Sequence, residues 1–181
     1  ASGRKLHVLE GHAGWVTGLV FSPDAKRLVT AGQDGTVRLW GVMTGKEEAK
    51  LAGHRGWVTG VAFAPDGKLV ASCGIDGTVR LWAAESGKEL KRLTGAEETI
   101  RQLVFFNDGR SLASSGGGKP LRLWDVESGK KLPQPMEKLS DLATNVTCAL
   151  FSPNGKRIAF TGVNKLIHVW DLEEDKLVRT L

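Results

Sequence analysis

The chain has 181 residues and a formal net charge of +5, with 41% hydrophobic and 25% charged residues. These proportions are ordinary for a soluble globular protein. No apolar run approaches the roughly 18 residues that a membrane-spanning helix needs, so no membrane association is expected. The opening stretch ASGRKLHVLE lacks the long apolar core of a secretory signal.

The strands predicted in the first part of the chain are short and are separated by tight turns. A weak strand over 5–9 comes first, followed by WVTGLVF at 15–21, where apolar residues alternate with small or polar ones. The turn SPDAK leads to RLVTAG at 27–32, and QDG leads to TVRLW at 36–40, which is rich in β-branched and aromatic residues. No stretch shows a helical periodicity.

One nine-residue sequence occurs twice in the chain. GQDGTVRLW at 32–40 recurs 42 residues later as GIDGTVRLW at 74–82, with eight of nine positions identical. Trp124 keeps the same spacing of 42 residues, and Trp170 follows after 46. Four copies are therefore present, and the four extra residues of the last one are placed in a proline-containing loop at 130–145.

The repeats divide a single domain, 1–181, into similar units. Each unit predicts a four-stranded antiparallel meander, and one small sheet cannot bury both of its faces. Stacked copies can, and repeated wedge-shaped sheets close radially, so the predicted fold is an all-β propeller of four-stranded blades. The units cover approximately 5–46, 47–88, 89–130 and 131–175, with fourth strands at 5–9, 47–51 and 89–93 and an extra outer strand over 175–181.

A His, a Thr or Ser, an Asp and a Trp recur at fixed offsets in the first two copies. A Ser, a His and an Asp suggest catalysis, but a nucleophile needs one activated, exposed site, and here the set occurs twice. We therefore predict a structural hydrogen-bonded tetrad and no catalytic residues. The members are His12, Thr30, Asp34 and Trp40 in the first copy and His54, Ser72, Asp76 and Trp82 in the second.

The stretch LEGHAGWVTGLVFSPDAKRLVTAGQDGTVRLW at 9–40 resembles a bacterial-type WD40 repeat, and the resemblance extends over essentially the whole chain. It implies a WD40 β-propeller that acts as a non-enzymatic interaction scaffold, in which such tetrads are structural. The third copy departs with Ala96 and Gly118 at the His and Asp positions, and the fourth with Phe160 and Asn164 at the hydroxyl and Asp positions. Each lost network would cost on the order of 1–3 kcal/mol, which predicts a stiffer first half.

The resemblance also implies a protein or peptide partner, bound where the fourth-to-first-strand loops and the second-to-third-strand turns emerge. Exposed Trp and Arg are over-represented among interface hot spots. The alternative for the two tryptophans at this face is that both pack between blades. The predicted partner-binding residues are Trp15, Gln33, Arg55, Trp57, Ile75, Glu97, Thr99 and Asn145.

Other motifs in the sequence do not predict a ligand. The glycine-rich SSGGGKP at 114–120 lacks the phosphate-binding pattern and leads into a strand, not a helix. The histidines and the two cysteines show no metal-ligand spacing, so neither a metal nor a cofactor is predicted. Cys73 and Cys148 fall in apolar runs and are expected to be buried free thiols, which favours a reducing compartment, the cytoplasm.

Four copies differ from the seven blades that are usual in the resembled family. An open arc would expose two apolar blade faces, so the chain is either part of a longer propeller or pairs head to tail with a second copy in an eight-bladed ring. Five outer strands for four blades leave one redundant or swapped across the junction. We favour the two-chain ring, a homodimer. A propeller hosting an enzyme site and a nucleic-acid-binding face remain alternatives, the latter less favoured because the basic residues are dispersed among turns.

Overall fold

The computed structural model describes residues 3, 5–95, 98–106, 109–116, 119–133, 148–152, 156–161 and 165–181. These residues form fifteen strands in four antiparallel sheets, as the sequence predicts for propeller blades. Within these ranges, no helix is long and apolar enough to cross a membrane.

The strands of each blade neighbour one another in chain order. The first blade contains β1 (Val16–Phe21), β2 (Arg27–Gly32), β3 (Thr36–Gly41) and β4 (Glu47–Ala52). The second contains β5 (Val58–Phe63), β6 (Leu69–Gly74), β7 (Val79–Ala83) and β8 (Glu89–Leu93). The third contains β9 (Gln102–Phe106), β10 (Ser111–Gly116) and β11 (Lys119–Asp125), and the fourth contains β12 (Cys148–Phe151), β13 (Arg157–Thr161), β14 (Ile167–Asp171) and β15 (Lys176–Thr180).

The pairing of the outer strand has the same irregularity in three blades. The register of the last strand pair shifts beside the repeated Trp, at Trp40, Trp82 and Trp170. In the third blade the outer position holds a single bridge between Trp124 and Lys131. The extra residues assigned to 130–145 fall largely outside the part of the chain that the structure describes.

The blades stack through their innermost strands, β1 against β5, β5 against β9 and β9 against β12. A separate apolar cluster fills each of the three junctions. Inward-facing residues of one blade pack against the next, because the strands alternate with a period of two. The stack has two sides. The upper face carries the segments before β1, β5 and β9 and the β2–β3 and β6–β7 turns, and the lower face carries the β1–β2, β5–β6, β3–β4 and β7–β8 turns.

Among the described residues, apolar side chains are exposed at both ends of the stack. Leu19 and Phe21 on β1 are 63% and 54% exposed, whereas Val61 and Phe63, their equivalents on β5, pack against the first junction. At the other end Leu150 is 64% exposed, although its equivalent Val20 packs into that same junction. The residues exposed at the two ends thus occupy positions that are covered where two blades stack.

The predicted strand over 5–9 is wrong, because these residues belong to no sheet. They follow the path of an outer strand nevertheless. His7 lies against Gly45, as Ala49 of β4 lies against Gly87 one repeat later, and its Nε2 is 3.1 Å from Met43 O. A strand needs a neighbour that completes its hydrogen bonds, and no described strand stands beside this segment.

Candidate interaction face

The first tetrad is assembled from four parts of the first blade. Asp34 lies in the β2–β3 turn, Thr30 on β2, Trp40 on β3 and His12 in the segment before β1. His12 Nε2 lies 2.7 Å from Thr30 Oγ1, and Nδ1 lies 3.1 Å from each carboxylate oxygen of Asp34. Trp40 Nε1 donates to Thr30 Oγ1 at 2.9 Å.

The second tetrad repeats this geometry with a serine. His54 Nε2 lies 2.7 Å from Ser72 Oγ, and Trp82 Nε1 donates to the same oxygen at 2.8 Å. His54 Nδ1 donates to Asp76 at 3.0 Å. One arrangement of protons satisfies every group: the indole donates to the hydroxyl, the hydroxyl to His54 Nε2, and Nδ1 to the carboxylate.

The aspartates organise the upper turns as well as binding histidine. Asp76 accepts the backbone N–H of Arg55 at 3.0 Å and that of Thr78 at 3.1 Å. Burial alone would raise the pKa of Asp76, but these hydrogen bonds and the nearby His54 lower it to about 2. Burial lowers the pKa of His54 below its usual value, which keeps the imidazole neutral.

The tetrads lack the properties of a catalytic site. Ser72 is completely buried, and its oxygen already binds both His54 and the indole of Trp82. A nucleophile needs a reachable oxygen and room for a reacting carbonyl. The hydrogen bonds of the tetrads therefore hold the loops of the upper face in place.

The upper face above the tetrads carries exposed aromatic side chains. Trp15 is 79% and Trp57 50% exposed, so neither is buried in the clusters between the blades. Trp15 O accepts the backbone N–H of Gln33 at 2.9 Å, and Trp57 O accepts that of Ile75 at 3.0 Å. These bonds fix each tryptophan beside the neighbouring turn.

The remaining predicted residues are distributed around these two. Arg55 and Ile75 are exposed, whereas Gln33 and Thr99 are partly buried. Ile100 N donates to Gly74 O at 3.2 Å, which joins the end of β6 in the second blade to the third. Glu97 and Asn145 lie outside the described residues.

The repeat geometry agrees with comparisons with known proteins. A family model described as WD domain, G-beta repeat, matches residues 3–41, 45–83 and 136–171, more than half of the chain. The chain belongs to the WD40-repeat family.

Several curated WD40-containing relatives match short segments. Striatin-4 of Homo sapiens is 59% identical over 34 residues, which is 19% of this chain and 4% of that protein. Nuclear distribution protein PAC1 of Arthroderma benhamiae is 38% identical over 50 residues, 28% of this chain and 11% of that protein. Apoptotic protease-activating factor 1 of Homo sapiens is 54% identical over 35 residues, 19% of this chain and 3% of that protein. The chain thus spans about a tenth or less of each relative's length.

The third and fourth WD40 blades keep only parts of the tetrad. Trp124 Nε1 donates to Ser114 Oγ at 2.9 Å, while Ala96, Gly118 and Asn164 lie outside the described residues. In the fourth blade Phe160 replaces the hydroxyl residue, so Trp170 Nε1 donates instead to Asp175 Oδ1 at 3.3 Å. Sequence reasoning missed this acceptor because the equivalent positions in the other repeats are glycines, Gly45, Gly87 and Gly129.

A second set of polar contacts under the tetrads was also missed. Arg80 is buried and its Nη1 donates to Glu89 Oε2 at 2.6 Å, and Arg38 pairs with Glu47 in the same way one repeat earlier. The two Arg–Glu pairs are 42 residues apart, and this repetition is the signal in the sequence that could have found them.

Proposed function

We propose that this WD40 chain binds a protein or peptide through its upper face. WD40 repeats and WD-repeat relatives support an interaction scaffold in general. The proposed contact residues are Trp15, Gln33, Arg55, Trp57, Ile75, Glu97, Thr99 and Asn145. The buried thiol of Cys73, whose pKa burial raises to about 12, suits a reducing compartment, and we place the scaffold in the cytoplasm.

The observation that carries this proposal is the exposure of Trp57 on a rigid base. Its backbone carbonyl accepts a hydrogen bond from Ile75 N, and in the preceding loop Arg55 N donates a hydrogen bond to Asp76. A residue whose backbone is already fixed loses little backbone entropy on binding. Trp57 and Arg55 therefore combine the residue types and the rigidity that interface hot spots have.

The experiment selects peptides from a displayed library on the immobilised chain and measures their affinity for point variants. Trp57→Ala should weaken the selected peptides by roughly 2 kcal/mol, about thirtyfold, and Arg55→Ala by less. The matched control is Met43→Ala, which removes an exposed side chain from the lower face. Peptides that bind W57A as tightly as the wild type, or lose affinity in M43A, would contradict the proposal.

We propose as a second function that two copies associate head to tail through the end faces of the stack. Leu19 and Phe21 at one end, and Leu150 at the other, occupy positions equivalent to residues that pack together in the first junction. Exposed apolar patches of this kind favour association, and a two-fold axis would close the ring.

Light scattering behind a sizing column tests this association across a range of concentrations. The two-copy ring predicts a mass of twice 19.5 kDa that persists on dilution. Leu19→Asp and Leu150→Asp alter opposite ends, and each should return the protein to the mass of one chain. A wild type that stays at 19.5 kDa at every concentration would exclude the ring.

A further inference from the structure

A cavity opens on the lower face between the second and third blades. Its volume is about 440 Å³, within the range of about 300–1,000 Å³ of ligand pockets. Its floor is apolar and its rim is charged. The floor is formed by Leu69, Leu81, Leu90 and Val126, and the rim by Asp66, Lys91, Arg110, Asp125 and Glu127.

The preceding junction shows how the repeat closes the same space. Arg27 occupies the position equivalent to Leu69, and its Nη1 donates to Ala84 O at 2.6 Å across the junction. The cavity there has a volume of about 450 Å³. Leu39 and Ala84, the equivalents of Leu81 and Val126, are not among its described lining residues. The guanidinium of Arg27 therefore covers the apolar floor in the first junction.

The second junction has the same carbonyl without that arginine. Val126 O is equivalent to Ala84 O, but the shorter Leu69 leaves Leu81 and Val126 lining the cavity. Lys91 Nζ approaches Val126 O from the outer strand at 3.3 Å, and a carbonyl oxygen can accept a second hydrogen bond.

The charges of the rim leave one negative charge in excess. Asp66, Asp125 and Glu127 contribute three carboxylates, against the two cations Lys91 and Arg110. Asp125 replaces the Ala83 of the first junction, so this rim has a carboxylate at a position where the first junction has a methyl group. Hydrogen bonds from Ser128 lower the pKa of Asp125 and keep it ionised.

We propose that this lower-face cavity binds the arginine side chain of a partner peptide. The guanidinium would donate to Val126 O and to the carboxylates of the rim, and its methylene groups would pack on Leu69 and Leu90. The arginine of the partner would bind the carbonyl of the second junction as Arg27 binds the carbonyl of the first. This site is separate from the upper face and does not depend on binding there.

The test titrates the chain with a blocked Gly-Gly-Arg-Gly-Gly peptide and follows the NMR shifts of the Leu69, Leu90 and Val126 methyl groups. The proposal expects saturable shifts of these methyls, and about tenfold weaker binding of the same peptide with the uncharged isostere citrulline. Equal binding of the two peptides, or no shift at these methyls, would overturn it.

Variants at the two equivalent positions provide matched controls. Leu69→Arg should rebuild the internal bridge, now to Val126 O, and weaken the arginine peptide at least about tenfold. Arg27→Leu changes the first junction only and should leave the affinity at the second unchanged. The proposal fails if L69R binds like the wild type or if R27L loses the second site.

A pair of milder variants keeps the test valid if L69R folds poorly. Glu127→Gln removes one charge from an exposed position of the rim and should weaken the arginine peptide several-fold. Glu85→Gln makes the same change at the first junction and should have no effect. Equal affinities for E127Q and the wild type would contradict the charge argument.

Discussion

The indole Nε1 of Trp82 donates a hydrogen bond of 2.8 Å to Ser72 Oγ at the buried centre of the second blade. The same hydroxyl lies 2.7 Å from His54 Nε2, so one oxygen joins β6, β7 and the loop that carries Arg55 to the upper face. A buried group of this kind stabilises only while all of its partners are present. The stability of the fold and the order of the interaction face are therefore coupled.

Ser72→Ala should destabilise the chain by about 2–3 kcal/mol, because it leaves the Trp82 indole and His54 Nε2 without their common partner. Denaturant unfolding followed by circular dichroism measures the change. Ser86→Ala, at an exposed turn position, is the matched control and should change the free energy of unfolding by less than about 0.5 kcal/mol. Equal losses in the two variants would show that the tetrad contributes nothing to stability.

Glu89→Ala should cost about 3 kcal/mol, because it leaves the buried guanidinium of Arg80 without its nearest carboxylate. Asp76 stands 3.9 Å from Arg80 Nη2 and already binds His54, so it compensates only in part. Thermal unfolding at constant pH measures the loss of stability. Glu48→Ala alters an exposed carboxylate on the equivalent outer strand β4, and a drop in stability as large as that of E89A would argue against the buried pair.

The pH dependence of stability should contain a contribution from His54. Burial lowers its pKa in the folded state below the usual histidine value of about 6.5. Between these two pKa values the unfolded chain binds more protons, so stability falls as the pH drops below about 6.5. Urea unfolding between about pH 8 and pH 5 should show a flatter profile for His54→Gln than for the wild type. Parallel profiles would mean that His54 titrates alike in both states.

Hydrogen exchange should be slower in the first two blades than in the third and fourth. The first two blades each have a complete tetrad, whereas Trp124 retains one bond to Ser114 and Trp170 relies on Asp175. Local opening is easier where fewer buried bonds must break. Exchange followed by mass spectrometry should find the amides of β2, β3, β6 and β7 protected for longer than those of β10 and β13. Uniform protection over all four blades would contradict this expectation.

The sequence by itself determined the repeat, most of the strands and the membership of the tetrads. A period of 42 residues fixes which positions are equivalent, and alternation along WVTGLVF or TVRLW depends only on neighbouring residues. The four tetrad residues could be grouped because each must occupy the same place in every complete blade. The upper-face set containing Trp15 and Trp57 was named from the resemblance to WD40 repeats, by matching positions at this spacing.

Only the tertiary structure decided what surrounds each of these positions. The segment 5–9 has the composition of a strand but lacks a neighbouring sheet, and backbone pairing depends on that neighbour. Asp175 becomes the acceptor for Trp170 because Phe160 removed the hydroxyl, which no local pattern indicates. The exposure of Trp57, and the lower-face cavity that Leu69 leaves open where Arg27 closes its equivalent, depend on how adjacent blades meet. Burial and charge at a junction are set by residues far apart in the chain, so they follow from packing and not from the repeat alone.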